Sequence, residues 1–223
     1  MWFRNDGNEG WRATTLGWAV NPNNGPSPEQ QHALKALASC LPQETYLAGG
    51  VAVAIHARHR LSRDLDLFLP TEDPTQIVDR LTAEPGVTLT SRAEGTVYAT
   101  VNGVPVSIIR YRYPLLARTT RTADAAIAIA SIEDLVCMKL SAISHRGALR
   151  DFWDLHTMLS MKKMSLTAAL ELYQTKYASE DIGHVVRSLV YFADADAEPA
   201  LTGLSNDTWT RIKSDARQWV AAL

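Results

Sequence analysis

Cysteine is scarce: only Cys40 and Cys137 occur in 223 residues. Both sit among apolar residues in stretches read as helical, which argues against a disulfide-stapled fold and for buried, reduced thiols. Long apolar runs are missing. No stretch reaches the roughly 18 consecutive apolar residues of a membrane-spanning helix. The first residues lack the pattern of a secretory leader. The expected location is therefore the cytoplasm. Neither sign of charge is in excess, since 22 Lys and Arg against 24 Asp and Glu give −2. That balance argues against a general nucleic-acid binder and confines any basic surface to a local patch. There is no internal repeat. The length allows one large domain or two small ones, and 46% apolar residues is ordinary for a globular chain.

What is present concentrates first in residues 46 to 69. The apolar run Tyr46-Leu47-Ala48 ends at Gly49-Gly50, and an apolar helical segment, Val51 to Ala57, follows. A basic patch comes next, with Arg58, His59, Arg60 and Arg63. The stretch closes on Asp64-Leu65-Asp66-Leu67-Phe68-Leu69, which alternates with the period of a strand. On a strand Asp64, Asp66 and Phe68 share one face, and the three leucines share the other. Two carboxylates side by side repel each other unless a cation lies between them. Hard oxygen donors of this kind suit Mg²⁺, which takes one or two carboxylates plus substrate phosphates. A solvated edge strand is the plain alternative.

Elsewhere the punctuation is clear. Residues 1–26 are rich in Asn and Gly but carry Trp2, Trp11 and Trp18, and read as an N-terminal arm. Ser27-Pro28-Glu29-Gln30 opens a helix with a capping box that runs to about Leu41. Pro74 to Ala83 reads as a helix and Glu84-Pro85-Gly86 as a turn. Val87 to Thr90 and Thr96 to Val101 read as strands, and Asn102-Gly103 as a tight hairpin turn into Val104 to Tyr111. The rest is helical.

A second constellation lies in that helical half. Ser131-Ile132-Glu133-Asp134 has the form of a capping box with Asp in the last position. In the following helix Lys139 interrupts the apolar stripe of Leu135, Val136, Leu140 and Ile143. Such a lysine either snorkels to solvent or pairs its ammonium in a cleft. Beyond Gly147 a helix from about Leu149 carries Asp151 and Asp154 on one face, at i and i+3. A solvated helix face is the plain reading of that pair. Helices over 166–177, 181–192 and 207–222 complete a C-terminal bundle.

Taken together, Gly49-Gly50 and His59-Arg60-x-Ser62-x-Asp64-Leu65-Asp66-Leu67-Phe68 resemble the AbiEii family of nucleotidyltransferase toxins, of the polymerase-β-like superfamily. Glu133-Asp134-Leu135, Met138-Lys139-Leu140-Ser141-Ala142, Arg146 and Arg150-Asp151-Phe152-x-Asp154-Leu155 resemble the family's second signature. The resemblance spans roughly residues 30 to 160. It implies an α+β fold: a polymerase-β-like nucleotidyltransferase core with a small mixed sheet over 27–125, and a C-terminal helical domain over 126–223. It implies transfer of a nucleotide from an NTP to an RNA acceptor, tRNA by family preference, with Mg²⁺ or Mn²⁺. It also implies a cognate antitoxin and a role in abortive infection.

Carried onto this sequence, the resemblance gives Asp64 and Asp66 as metal ligands and Gly49, Gly50 and Ser62 as triphosphate contacts. Lys139 would neutralise phosphate, and Asp151 would orient Lys139 or act on the nucleophile. Arg60, Arg63, Arg146 and Arg150 are candidates for the acceptor backbone, with surface charge pairs the equal alternative. Two positions depart from the family. Its third carboxylate falls where this chain reads Val106-Ser107-Ile108, and Val51 replaces a threonine common after Gly-Gly. Ser107 keeps a catalytically impaired nucleotide- or partner-binding homologue open, beside transfer to a protein or small-molecule acceptor.

Overall fold

A computed structural model of the chain describes residues 12–13, 19–20, 25–121 and 126–223. Trp2, Trp11 and Trp18 lie outside these residues. In the arm, β1 (Arg12–Ala13) and β2 (Ala19–Val20) pair antiparallel as a sheet of their own. Helix α1 (Pro28–Leu37) has the expected capping box, with the Gln30 amide donating to Ser27 Oγ at 3.2 Å and the Ser27 amide to Gln30 Oε1 at 2.8 Å. It ends four residues before Leu41, so Cys40 lies in the turn beyond it; both cysteines are buried and free.

The main sheet is built from β3 (Tyr46–Ala48), β4 (Leu65–Leu69), β5 (Val87–Ala93), β6 (Thr96–Val101), β7 (Val104–Arg110) and β8 (Ala128–Ile129). Helix α2 (Gly49–Ala57) joins β3 to β4, and a 3-10 turn (Pro74–Ile77) with α3 (Val78–Ala83) joins β4 to β5. The strand order is β5-β6-β7-β4-β3-β8. Strands β4 and β7 are parallel, as are β3 and β8, and the other pairs are antiparallel. At the β6–β7 hairpin, Asn102 and Gly103 adopt φ of 49° and 83°, the left-handed pair of a tight turn that follows the strands' twist.

The period-two alternation divides the sheet into two faces. Leu65, Leu67 and Leu69 of β4, Val104, Val106 and Ile108 of β7, and Val97, Ala99 and Val101 of β6 are buried. The 3-10 turn packs against β6 and β7, α1 against β7, and α3 against β5. Asp66, Ser107 and Tyr98 share the opposite face, because direct cross-strand partners point the same way.

The helical half comprises α4 (Ile132–Arg146), α5 (Leu149–Lys162), α6 (Leu166–Tyr177), α7 (Gly183–Ser188), α8 (Ala193–Ala197) and α9 (Asn206–Ala221). The helix expected over 181–192 stops at Ser188, where i+3 bonds from Val190 and Tyr191 turn the chain before α8. Gly147 caps α4 in the left-handed region, with φ of 56°. Helix α2 packs on β3 and β4 and also on α4 and α5. Its Val51, Ala52, Val53 and Ala54 are all buried, so it ties the sheet to the bundle.

Candidate active site

The site begins where β3 turns into α2. Gly49 has φ of +65°, and a Cβ there would fall 2.0 Å from Asp66 Oδ2. A Cβ at Gly50 would fall 2.4 Å from Ser62 Oγ. The two glycines are therefore required first by the chain itself: they let the Asp66 and Ser62 side chains lie against the start of α2. That places Asp66 beside the first free amides of a helix, where the dipole favours negative charge. Ser62 and Arg63 are held from the other side, since the Gln30 side-chain amide donates to both their carbonyls at 2.9 Å. The capping residue of α1 thus also fixes the approach to β4.

Asp66 pairs in register with Ser107 across β4 and β7. The Ser107 hydroxyl donates to Asp66 Oδ1 at 2.5 Å. Burial raises the Asp66 carboxyl above its usual range, against the lowering pull of Ser107 and Lys139. Asp64 lies one residue before the strand and is exposed. Asp66, with Asp64 near enough to act on it through space and the Ser107 hydroxyl beside it, would offer hard oxygen donors. Such donors fit a divalent ion that takes most of its ligands from substrate phosphates and water. Among the described residues no group of three or more His, Cys, Asp or Glu side chains is arranged to hold a metal.

Behind this edge lies a buried ionic cluster. Asp154 is fully buried and accepts from His59 Nε2 at 2.8 Å, Arg60 Nε at 2.6 Å and Arg60 Nη2 at 2.7 Å. Lys139 Nζ bridges Asp154 Oδ2 and Asp151 Oδ1, both at 2.7 Å. Arg146 completes the cluster, with its Nε 2.7 Å from Asp151 Oδ2. Desolvation works to raise both carboxyls, but the cations outweigh it: Asp151 is held below the usual range and Asp154 well below it. Burial pushes the His59 imidazole below the ordinary histidine range. Lys139 and Arg146 also act through space on Asp66, so the cluster forms the positive wall of the site.

These contacts decide which expected residues meet. Gly49 meets Asp66 and Gly50 meets Ser62, Asp64 acts on Asp66 through space, and Lys139 and Asp151 pair directly. Arg60 is not displayed to an acceptor: it is buried and committed to Asp154, because two charges taken out of water need each other. Arg146 is half-exposed but paired. Arg63 and Arg150 are exposed. Val51 is buried in the core and offers no side chain to a phosphate.

Sequence reasoning missed several contacts. Gln30 looked like a capping residue alone. His59 and Asp154 were visible in the motifs, but their contact joins residues 95 apart in sequence. Lys176, in the last turn of α6, carried no sequence signal; it is buried and donates to Asp134 and to the Pro114 carbonyl, both at 2.7 Å. Asp134 accordingly takes the Ser131 hydroxyl, the Leu116 amide and Lys176 instead of completing a reciprocal capping box.

Residues 99–222 match the family described as "Nucleotidyl transferase AbiEii toxin, Type IV TA system". An uncharacterised protein of Aquifex aeolicus, aq_aa25, is 35% identical over 177 residues, which cover 76% of this chain and 84% of that one. Among solved structures, MenT4, the nucleotidyltransferase toxin Rv2826c of Mycobacterium tuberculosis, superposes with a TM-score of 0.61 at 15% identity, over 87% of this chain and 82% of that one. JHP933 of Helicobacter pylori gives a TM-score of 0.52 at 18% identity, over 86% and 88%. At such identities the two structures speak for the fold alone, which is α+β with the mixed sheet and helices described above. The family match covers more than half of the chain, including β7 with Ser107 and the Lys139, Arg146, Asp151 and Asp154 members of the ionic cluster. This chain therefore belongs to the AbiEii nucleotidyltransferase toxin family and is a nucleotidyltransferase.

Proposed function

We propose that this chain transfers a nucleotide from a ribonucleoside triphosphate to an RNA end, tRNA being the acceptor the family favours. In this reading it is the magnesium-dependent toxin of a toxin–antitoxin pair. The observation that carries it is the seating of Asp66 against the Gly49 turn at the start of α2, with the Lys139 cluster behind.

In the reaction an acceptor hydroxyl attacks the α-phosphorus, the bond to the β-phosphate oxygen breaks, and pyrophosphate leaves. The hydroxyl proton is released to solvent on the open side of the site. Asp64 and Asp66 would hold the divalent ion, which supplies charge to the phosphate oxygens and template geometry. The chain's own residues do the rest. The α2 amides and Ser62 orient the triphosphate. Lys139 and Arg146 offset the charge that gathers on the leaving group. Asp151, held ionised by two cations, is a poor proton acceptor and instead fixes Lys139 in place. Arg63 and Arg150, both exposed, are the arginines left for an acceptor's phosphates. The core over 27–125 would carry the triphosphate side and the helices over 126–223 would close it.

The test supplies purified protein with total RNA, Mg²⁺ and each NTP, labelled at either the α- or the γ-phosphate. Label from the α-position only should appear in RNA, and Asp66→Asn or Lys139→Ala should reduce it at least about 100-fold. Label found in protein instead would reject the RNA acceptor. The Ser107 hydroxyl at the position of a third carboxylate favours one second reading, a homologue that binds nucleotide without turnover. Tight NTP binding with no label in any fraction would select it.

A further inference from the structure

The register of the sheet sets five residues in one row across it. Ser91 of β5 pairs with Tyr98 of β6, Tyr98 with Ser107 of β7, Ser107 with Asp66 of β4, and Asp66 with Ala48 of β3. Gly49 and Gly50 continue directly from the end of that row. Direct partners share a face, so Tyr98 stands on the same side as Asp66 and Ser107. It lies two strand spacings from Asp66, about 10 Å.

Tyr98 is anomalous there. It occupies an interior strand, yet 46% of it is exposed. Its neighbours Val97 and Ala99 on the other face are buried in the core. Among the described residues its side chain has no hydrogen-bond or ring partner, whereas the tyrosines at 46, 111, 113, 173 and 177 all pack against other aromatic rings, face-on, tilted or edge-on; Tyr191, in a turn, is also exposed. Around it on the same face are Thr96, Thr100 and Ile109, each half-buried. The result is a flat shelf with one aromatic ring, open to solvent, starting beside the Asp66–Ser107 pair.

We propose that this shelf takes a nucleobase, stacked on the Tyr98 ring. The assignment rests on the phosphate-handling reading of Asp66 and Gly49-Gly50 given above. With the α-phosphate at Asp66, the two-strand distance is the reach across a ribose to its base. A tyrosine ring accepts any base through its π-face, so the shelf adds affinity without choosing a letter. The base belongs either to the triphosphate or to the acceptor's last nucleotide, and the chemistry is the same.

Calorimetry on the full chain with Mg²⁺ tests this. The probes are the four NTPs, inorganic tripolyphosphate and a short single-stranded oligoribonucleotide. The proteins are wild type, Tyr98→Ala and Tyr98→Phe, with thermal melts to confirm that this exposed site leaves the fold intact. For a triphosphate base, Tyr98→Ala weakens NTP binding about tenfold, Tyr98→Phe restores it, and tripolyphosphate binds all three alike. The same pattern for the oligonucleotide, with NTP binding untouched, places the acceptor's base on the shelf. NTP and oligonucleotide affinities that are both indifferent to Tyr98→Ala overturn the shelf while leaving the phosphate site standing. A wild type that binds neither NTP nor tripolyphosphate overturns the underlying reading, and with it the shelf if the oligonucleotide also fails to bind.

Discussion

Asp66, the proposed metal ligand, carries a cost to the fold. Its carboxyl is raised by burial, so ionising it in the folded protein is unfavourable relative to the unfolded chain. The sign follows: as pH rises past the ordinary carboxylate range, the unfolded state loses its proton first and folding weakens until the folded carboxyl ionises too. Asp66→Asn removes this penalty and keeps a partner for the Ser107 hydroxyl. In metal-free buffer at pH 7 the variant should therefore melt above the wild type, and the gap should close towards pH 3. A variant that melts lower at pH 7 would mean that Lys139 and Ser107 outweigh desolvation. The opposition between stability and function is expected where charge is concentrated for catalysis.

At the level of elements, the Lys176–Asp134 pair decides how the β7–β8 connection runs. Both side chains are wholly buried. Between them they satisfy the Leu116 amide and the Pro114 carbonyl, and so anchor an otherwise irregular segment to α4 and α6. The Lys176 ammonium also lies 5.5 Å from the Tyr111 ring, within the cluster of Phe68, Tyr111, Tyr113 and Tyr177. Lys176→Met keeps the length of the side chain but leaves Asp134 buried without its cation. Removal of one partner from such a pair costs about 3–5 kcal/mol, to be read from urea unfolding. A loss under about 1 kcal/mol would show that Asp134 is satisfied by its amide and hydroxyl donors alone. Helix α5 makes a similar point: Asp151 and Asp154 sit on a face that is buried, not solvated, because α4 and the loop before β4 bring four basic side chains to them.

For the whole molecule these groups predict a two-stage response to acid. His59 and His156 are held below the ordinary histidine range by burial. Their contribution is full above the unfolded value near 6.5 and is lost below it, as pH falls towards the lower folded values. Asp151 and Asp154 are lowered, so theirs is present above the carboxylate value of 3.8 and is lost only below it. Urea midpoints measured from pH 8 to pH 3 should drop modestly near pH 6 and steeply below about pH 4. Because Asp154 joins α5 to the loop before β4, acid should release the sheet from the helices while local helix persists. Midpoints that rise steadily from pH 8 to pH 4 would contradict both stages.

The sequence by itself determined the elements and the chemistry on offer. The capping box at Ser27, the Asn102-Gly103 turn, the alternation in β4 and β7 and the site glycines are local patterns with local physical causes, and each was legible. Gly-Gly and Asp-x-Asp are equally short-range, and the sequence offered them as candidates for a site. Only the tertiary structure decided which charges face one another. Arg60 reads as a surface arginine until Asp154 arrives from 94 residues away. Lys176 reads as a helix-end lysine until Asp134 encloses it. Tyr98 is one strand residue among several until strand order sets it in the row of Asp66 and Ser107. The physical reason is that pairing register and buried ion pairs are long-range contacts. Their free energy depends on burial and on partners from other elements, which no local window of the chain contains.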